Sequence, residues 1–258
     1  MNKIKKAINI LRNKGLKIFW SKIVNRVRIL IRPFYIKFFI FRKKEKIIRE
    51  MTNFKSADRD EIFNFIFKKY FGVFSAMQIK EEFSELMKIV ENLRPKNVLE
   101  IGTANGGALF CFSRLSSDDG NIVSVDLPEG KFGGGYEEWR IPFFESFKKN
   151  SQKLHFLRDD SHKDSTLESV IKYFNNQKID FLFIDGDHTY EGVKKDFEMY
   201  GPLVKEGGVI AFHDIAEGSE EYVGGVPKFW KEVKEGRKFR EFVDDWSQGG
   251  YGIGILFI

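Results

Sequence analysis

The chain has 258 residues, 42% of them hydrophobic and 31% charged, which suits one large α/β domain with an extension better than two full domains. A single cysteine, Cys111, excludes an internal disulfide framework and suits a reducing cytoplasm. The net charge of +6 hides a division: residues 1–50 carry 16 Lys/Arg against 2 Asp/Glu, net +14, and the other 208 carry 27 against 35, net −8. A basic arm on a mildly acidic body points to an anionic surface, either a membrane or a nucleic acid.

In the arm, Ile4, Ile8, Leu11, Ile18, Phe19, Ile23, Val27 and Leu30 recur at helical spacing among lysines and arginines. This predicts a basic amphipathic helix, with Trp20 suited to a water–lipid boundary and Pro33 as its stop. A dense apolar cluster follows from Phe34 to Phe41, closed by Arg42, Lys43 and Lys44. Residues 1–44 therefore read as a peripheral anchor for an anionic membrane, at the inner, cytoplasmic face. Packing on the chain's own domain or on a second copy, as a homo-oligomer, stays open. Nucleic acid is disfavoured, because no aromatics alternate with phosphate-binding loops. No run reaches the roughly 18 apolar residues of a spanning helix. No small-residue cleavage site follows the basic start, so a secretory signal is not expected.

The expected organisation is an arm over 1–50, a helical connector over 51–74 and a catalytic domain over 75–258. Phe63, Ile66, Phe67 and Tyr70 have helical spacing and are expected in the connector's core. Ile79 to Leu93 reads as an amphipathic helix ended by Pro95, and Asn97 to Ile101 as a buried strand. Strands are then predicted at Asn121–Asp126, Leu154–Leu157, Phe181–Asp185, Gly208–His213, Phe239–Val243 and Tyr251–Ile258. Helices are predicted at Ala108–Leu115, Trp139–Asn150, Thr166–Asn176, Gly192–Leu203 and Val226–Glu235. This alternation implies a Rossmann-like three-layer α/β sandwich with a mostly parallel sheet, whose ligands lie beyond the carboxyl ends of the strands.

The loop after the first strand, Gly102-Thr103-Ala104-Asn105-Gly106-Gly107, has Ala104 where a dinucleotide fingerprint has its second glycine. Glu100 beside it would repel phosphates and suit a ligand carrying an ammonium and a sulfonium. Asp126 ends the second strand at the spacing of an acid that binds ribose hydroxyls, or simply caps the strand. Two later strands bring Asp185, Asp187, His188, His213 and Asp214 to one edge. Charges directly after apolar strands are costly unless they bind something. Carboxylates favour Mg²⁺, and a histidine among them shifts the balance towards Mn²⁺. The alternative is that the acids cap strands and His188 works without a metal. The glycine-dense loop 128–136 suits a lid, with Tyr136, Trp139 and Arg140 facing a substrate, or a plain flexible loop. His162, following Asp160-Ser161, reads as a surface residue or as one near the site, and His155 and Cys111 as structural or core.

Val98–Gly107, Val125–Pro128, Gly133–Tyr136, Phe183–Glu191 and Gly207–Asp214 together resemble the class I S-adenosylmethionine-dependent methyltransferases. In particular they resemble a bacterial branch of cation-dependent O-methyltransferases acting on sugars and other small hydroxylated substrates. The resemblance runs from Phe74 to the C-terminus and implies seven strands, the last antiparallel. It implies that Glu100, Gly102 and Asn105, in a loop that also carries Thr103 and Gly106, line the methionine end of S-adenosylmethionine. Asp126 would hold the ribose, and Asp160 with Ser161 would flank the adenine. Asp185, beside the cofactor, would join His213 and Asp214 in holding a divalent cation, Mg²⁺ or Mn²⁺, with His188 as the catalytic base beside it. The expected acceptor is a glycan or small hydroxylated molecule. An RNA methyltransferase gripping with the arm and a nicotinamide-dependent oxidoreductase are the alternatives; the first loop and Glu100 argue against the second.

Overall fold

Runs of apolar, often β-branched residues form the strands, and the segments of 3.6-residue period between them form helices. The computed structural model describes residues 36–258 apart from positions 57, 131, 133, 134 and 150, so the expected arm helix before Pro33 lies outside the described residues. The chain divides into two units, Met1–Ile47 and Ile48–Ile258. In the first, residues 36–42 are helical, with Phe38 and Phe41 exposed. Among the described residues no helix is long and apolar enough to cross a membrane.

The second unit is built on seven strands: β1 (Asn97–Ile101), β2 (Asn121–Val125), β3 (Lys153–Leu157), β4 (Ile179–Ile184), β5 (Val204–His213), β6 (Lys238–Phe242) and β7 (Ile253–Phe257). They lie in the order β3-β2-β1-β4-β5-β7-β6. β1 to β5 are parallel, and β7 runs antiparallel to both β5 and β6. The direction of winding reverses between β1 and β4, which opens a crevice at the carboxyl edge there.

The helices are α1 (Lys44–Thr52), α2 (Arg59–Lys68), α3 (Lys80–Leu93), α4 (Gly107–Leu115), α5 (Ile141–Glu145), α6 (Asp164–Tyr173), α7 (Tyr190–Tyr200), α8 (Glu220–Val223) and α9 (Val226–Val233). On one face of the sheet, Leu99, Val123, Leu182 and Ile210 pack with Val170 of α6, Val193 of α7, and Phe229 and Trp230 of α9. On the other, the alternate residues Phe181 and Phe183 of β4 meet Phe112 of α4 at ring separations of 5.0 and 5.3 Å. The helix expected over Trp139–Asn150 is shorter. A single 3-10 turn, Glu138–Arg140, leads into α5, and the chain bends at Ser146, whose N–H donates to the Phe143 carbonyl. The bend lets Phe143, Phe144 and Phe147 all point inward.

The connector belongs to this core. Phe65 of α2 stacks on Phe110 of α4 at 5.3 Å, and Phe54 lies 5.5 Å from the same ring. Arg114, at the end of α4, is buried and donates to the carbonyls of Phe54 at 2.5 Å and Met51 at 2.7 Å. Burial lowers its guanidinium to about 10, still charged at neutral pH. Arg114→Met would strand these two carbonyls. The expected loss of stability is about 2–3 kcal/mol, typical of hydrogen bonds to a charged donor, measured by urea unfolding.

Candidate active site

β1 and β4 touch backbone to backbone at their carboxyl ends. A Cβ on Gly102 would sit 1.9 Å from the Asp185 carbonyl oxygen, and φ is +89°, so only glycine fits. The next two amides of the loop are held by Asp126. Its Oδ2 accepts from Thr103 N at 3.0 Å and Ala104 N at 2.7 Å, and its Oδ1 from Gly135 N at 2.7 Å. Burial raises the Asp126 carboxyl above the ordinary range, although the three N–H groups pull it down.

Four loop positions sit differently from the sequence expectation. Glu100 does not line the cavity: it is fully buried, with Oε2 accepting from Thr103 Oγ1 at 2.7 Å and Oε1 unpaired. Strand alternation sends its side chain to the face that α4 covers, where burial pushes its carboxyl well up. Thr103 is buried between Glu100 and Ser124. Gly106 is covered by α5, where a Cβ would meet Phe144 at 2.4 Å. Asn105 is half-buried and outside the lining, to which the loop contributes Gly102 and Ala104.

The cavity beyond these strand ends has a volume of about 800 Å³, ample for two small ligands. Its described lining holds six aspartates and Glu221 against three histidines, with no lysine or arginine. Asp126, Asp160, Ser161 and Asp185 all line it. His162, read as either a surface residue or one near the site, lines it too. Its Nε2 pairs at 3.2 Å with Oδ1 of Asp196, a fully buried acid on α7. The Asp196 carboxylate, as acceptor, raises the imidazole against the opposing effect of burial. Nothing in the local sequence marks this pair, because its members are 34 residues apart.

At the ends of β4 and β5, two carboxylates and two imidazoles form one corner. Asp185 Oδ2 accepts from Gln78 Nε2 at 2.8 Å, while Oδ1 accepts from His213 Nδ1 at 3.0 Å and lies 3.5 Å from His188 Nε2. His188 Nδ1 donates to the Tyr222 carbonyl at 2.5 Å and lies 3.3 Å from Asp214 Oδ2. Burial would raise Asp185, but the two imidazoles hold it well below the carboxylate range. Burial would lower His188, but the Asp185 hydrogen bond and both carboxylates raise it to about 9. His213 moves up for the same reasons.

Ligand atoms of Asp185, His188 and Asp214 all lie within 4.8 Å of one another. The imidazole in this group is that of His188, where His213 was expected. His213, at the strand's last position, is buried with its Nδ1 turned to Asp185 and its Nε2 enclosed and unpaired, whereas His188 in the following turn reaches over the corner. Two carboxylates and one imidazole form a donor set that fits Mg²⁺ or Mn²⁺.

From the glycine-dense loop, Leu127, Gly130 and Phe132 line the cavity, and Phe132 stacks on His188 at 4.9 Å. Tyr136, Trp139 and Arg140 do not. Tyr136 is buried against Phe144, Trp139 packs on Phe143, and Arg140 donates to the Val73 carbonyl at 2.7 Å.

Residues 99–215 match a family model described as a methyltransferase domain. Over 174 residues, 66% of the chain, the sequence is 29% identical to the uncharacterized protein y4gI of Sinorhizobium fredii, of which it covers 18%. Over 146 residues, 55% of the chain, it is 27% identical to the caffeoyl-CoA O-methyltransferase of Stellaria longipes, covering 56% of that protein. The chain therefore spans only part of the length of these curated relatives. An O-methyltransferase from Bacillus cereus, solved in complex with SAH, has the same fold: TM-score 0.55 at 19% identity over 78% of this chain and 92% of that one.

Asp126→Ala should free the loop amides. Hydrogen exchange at Thr103, Ala104 and Gly135 is expected to accelerate at least tenfold relative to amides in β1, as read by mass spectrometry or NMR.

Proposed function

We propose that the chain, whose residues 99–215 match a methyltransferase-domain model and whose fold is shared with the Bacillus cereus O-methyltransferase, is an S-adenosylmethionine-dependent O-methyltransferase that acts, with a divalent cation, on a hydroxyl of a sugar, glycan or related polyhydroxylated acceptor. The observation that carries this reading is the convergence of Asp185, His188 and Asp214 within 4.8 Å on a cavity that Gly102, Ala104 and Asp126 also line.

S-adenosylmethionine supplies a methyl group on a positively charged sulfur. An acidic lining balances that charge, and without lysine or arginine among its described residues it is ill suited to a polyphosphate. Asp126 spends three of about four acceptor sites on backbone N–H groups and keeps one for a ribose hydroxyl. Asp160 and Ser161 are available to the base at the third strand end.

Asp185, His188 and Asp214 are the residues that would hold the cation, which polarises an acceptor hydroxyl and lowers its pKa. With Nδ1 donating to the Tyr222 carbonyl, His188 has Nε2 as its one available ring nitrogen, which would hold the cation or, where Asp185 and Asp214 hold it alone, accept the hydroxyl proton, with both carboxylates stabilising the imidazolium. Asp185 is fixed by Gln78 and by the packing of Gly102 on its backbone, so it enters the reaction already oriented. For residues 1–44 we propose an anionic membrane surface at the cytoplasmic face, supported by the charge division and by exposed Phe38 and Phe41.

Calorimetry is expected to show SAH binding to the intact protein. Asp185→Ala should abolish methyl transfer to a sugar acceptor without changing the circular dichroism, and His188→Ala should slow it about 10²–10⁴-fold. Full activity in the Asp185 variant and in excess chelator would refute the metal-assisted mechanism. Separately, flotation with phosphatidylserine vesicles should recover the whole chain at low salt and lose it when residues 1–44 are removed.

A further inference from the structure

Four exposed large side chains ring the cavity mouth: Met77, Leu127, Tyr222 and Tyr251. The two tyrosines are 68% and 43% exposed, yet their backbones are tied to the acidic corner. The Tyr222 carbonyl accepts from His188 Nδ1 at 2.5 Å, and Tyr251 N–H donates to Asp214 Oδ1 at 3.1 Å. Both residues lie outside the stretch 99–215 that matches the methyltransferase family model.

Tyr251 is held under strain. Its φ is +62°, within a Gly249-Gly250-Tyr251-Gly252 turn whose three glycines also have positive φ, and Asp214, to which it bonds, has φ +60°. Glycine would adopt this conformation freely and keep both backbone bonds, to Asp214 and to Ala216 N at 2.9 Å. What tyrosine adds is a ring at the mouth, in an edge-to-face arrangement with His213 at a centroid separation of 6.0 Å. The turn is anchored from below: buried Glu82 of α3 accepts from Asp244 N at 3.0 Å, Gln248 Nε2 at 2.7 Å and Gly252 N at 2.9 Å. An exposed aromatic ring on a strained, firmly anchored turn is the usual construction of a ligand contact rather than of a core.

We infer that Tyr222 and Tyr251 form the acceptor platform, and that the acceptor is a ring with one flat carbon face and a hydroxyl-bearing edge. That face, whether the C–H face of a pyranose or the π face of a catechol, lies against tyrosine, and the hydroxyl edge points to Asp185, His188 and Asp214. The assignment rests on the O-methyltransferase reading above. It divides the acceptor between two chemistries: the corner receives the oxygens, and the tyrosines cover the carbon skeleton.

The test uses full-length protein saturated with SAH, with methyl α-D-glucopyranoside and catechol as the two probes, and ligand-observed NMR titration as the readout. The wild type is expected to bind at least one, and that one identifies the kind of ring. Tyr222→Ala and Tyr251→Gly should each weaken it at least tenfold and leave SAH affinity by calorimetry within twofold, while Tyr222→Phe retains the probe. Tyr251→Gly should also leave Tm unchanged or higher, since it relieves strain; a purely structural tyrosine would lower Tm and leave probe binding intact. Should Tyr251→Gly fail to fold, Tyr222→Ala decides alone. Probe affinity unchanged in the variants, or no binding of either probe to the SAH-saturated wild type, overturns the platform. Failure of the wild type to bind SAH overturns the O-methyltransferase reading instead.

Discussion

Two imidazoles and two carboxylates share one largely buried corner, and neither pair is tolerable there without the other. A buried carboxylate favours protonation, and a buried imidazole favours neutrality. Placed 3.0–3.5 Å apart, Asp185, His188, His213 and Asp214 reverse both tendencies: Asp185 is held ionised, and the histidines are pushed up. The parallel register of β4 and β5 ends both strands at the same edge, and Gly102 lets β1 close against β4 there. Most of the cavity's chemistry follows from those neighbouring strand ends.

Much of the rest is support that never faces the cavity. Glu100 lies sealed beneath the first loop, Glu82 anchors the turn that carries Tyr251, and Arg114 ties the connector to the core. Each is a charged or ionisable group under a loop, bonded to backbone or to a neighbouring side chain. A polar group buried in this way is costly to displace, so it holds a loop more firmly than apolar packing alone. Asp126 does the same at the cavity wall, trading most of its capacity as a ligand for the shape of the glycine loop. The exposed tyrosines are the counterpart: rings left open to solvent on backbones that are fixed.

Several site residues were legible because they directly follow strands with a clear apolar pattern. Asp126, Asp185 and Asp214 needed only strand ends and the rule that ligands bind beyond them. The direction of a side chain was not legible in the same way. Glu100 and Gly102 are two residues apart, yet one is buried under α4 and the other meets Asp185 across the strand gap. His188, and not His213, falls in the group able to hold a cation, because the turn after β4 reaches over the corner while the last residue of β5 stays within the sheet. Tyr136, in a loop that reads as a lid, found Phe144 instead of the cavity.

The sequence by itself determined the α/β alternation, the sheet edge that holds the acids and the division between basic arm and acidic body, because periodicity, strand ends and charge are local properties of the chain. Only the tertiary structure decided which polar groups face the cavity and which hold it up. It also decided that Gln78, His162, Asp196, Tyr222 and Tyr251 meet there. Those residues come from five separate segments, and their contacts exist only after the sheet has closed and the loops have packed against it.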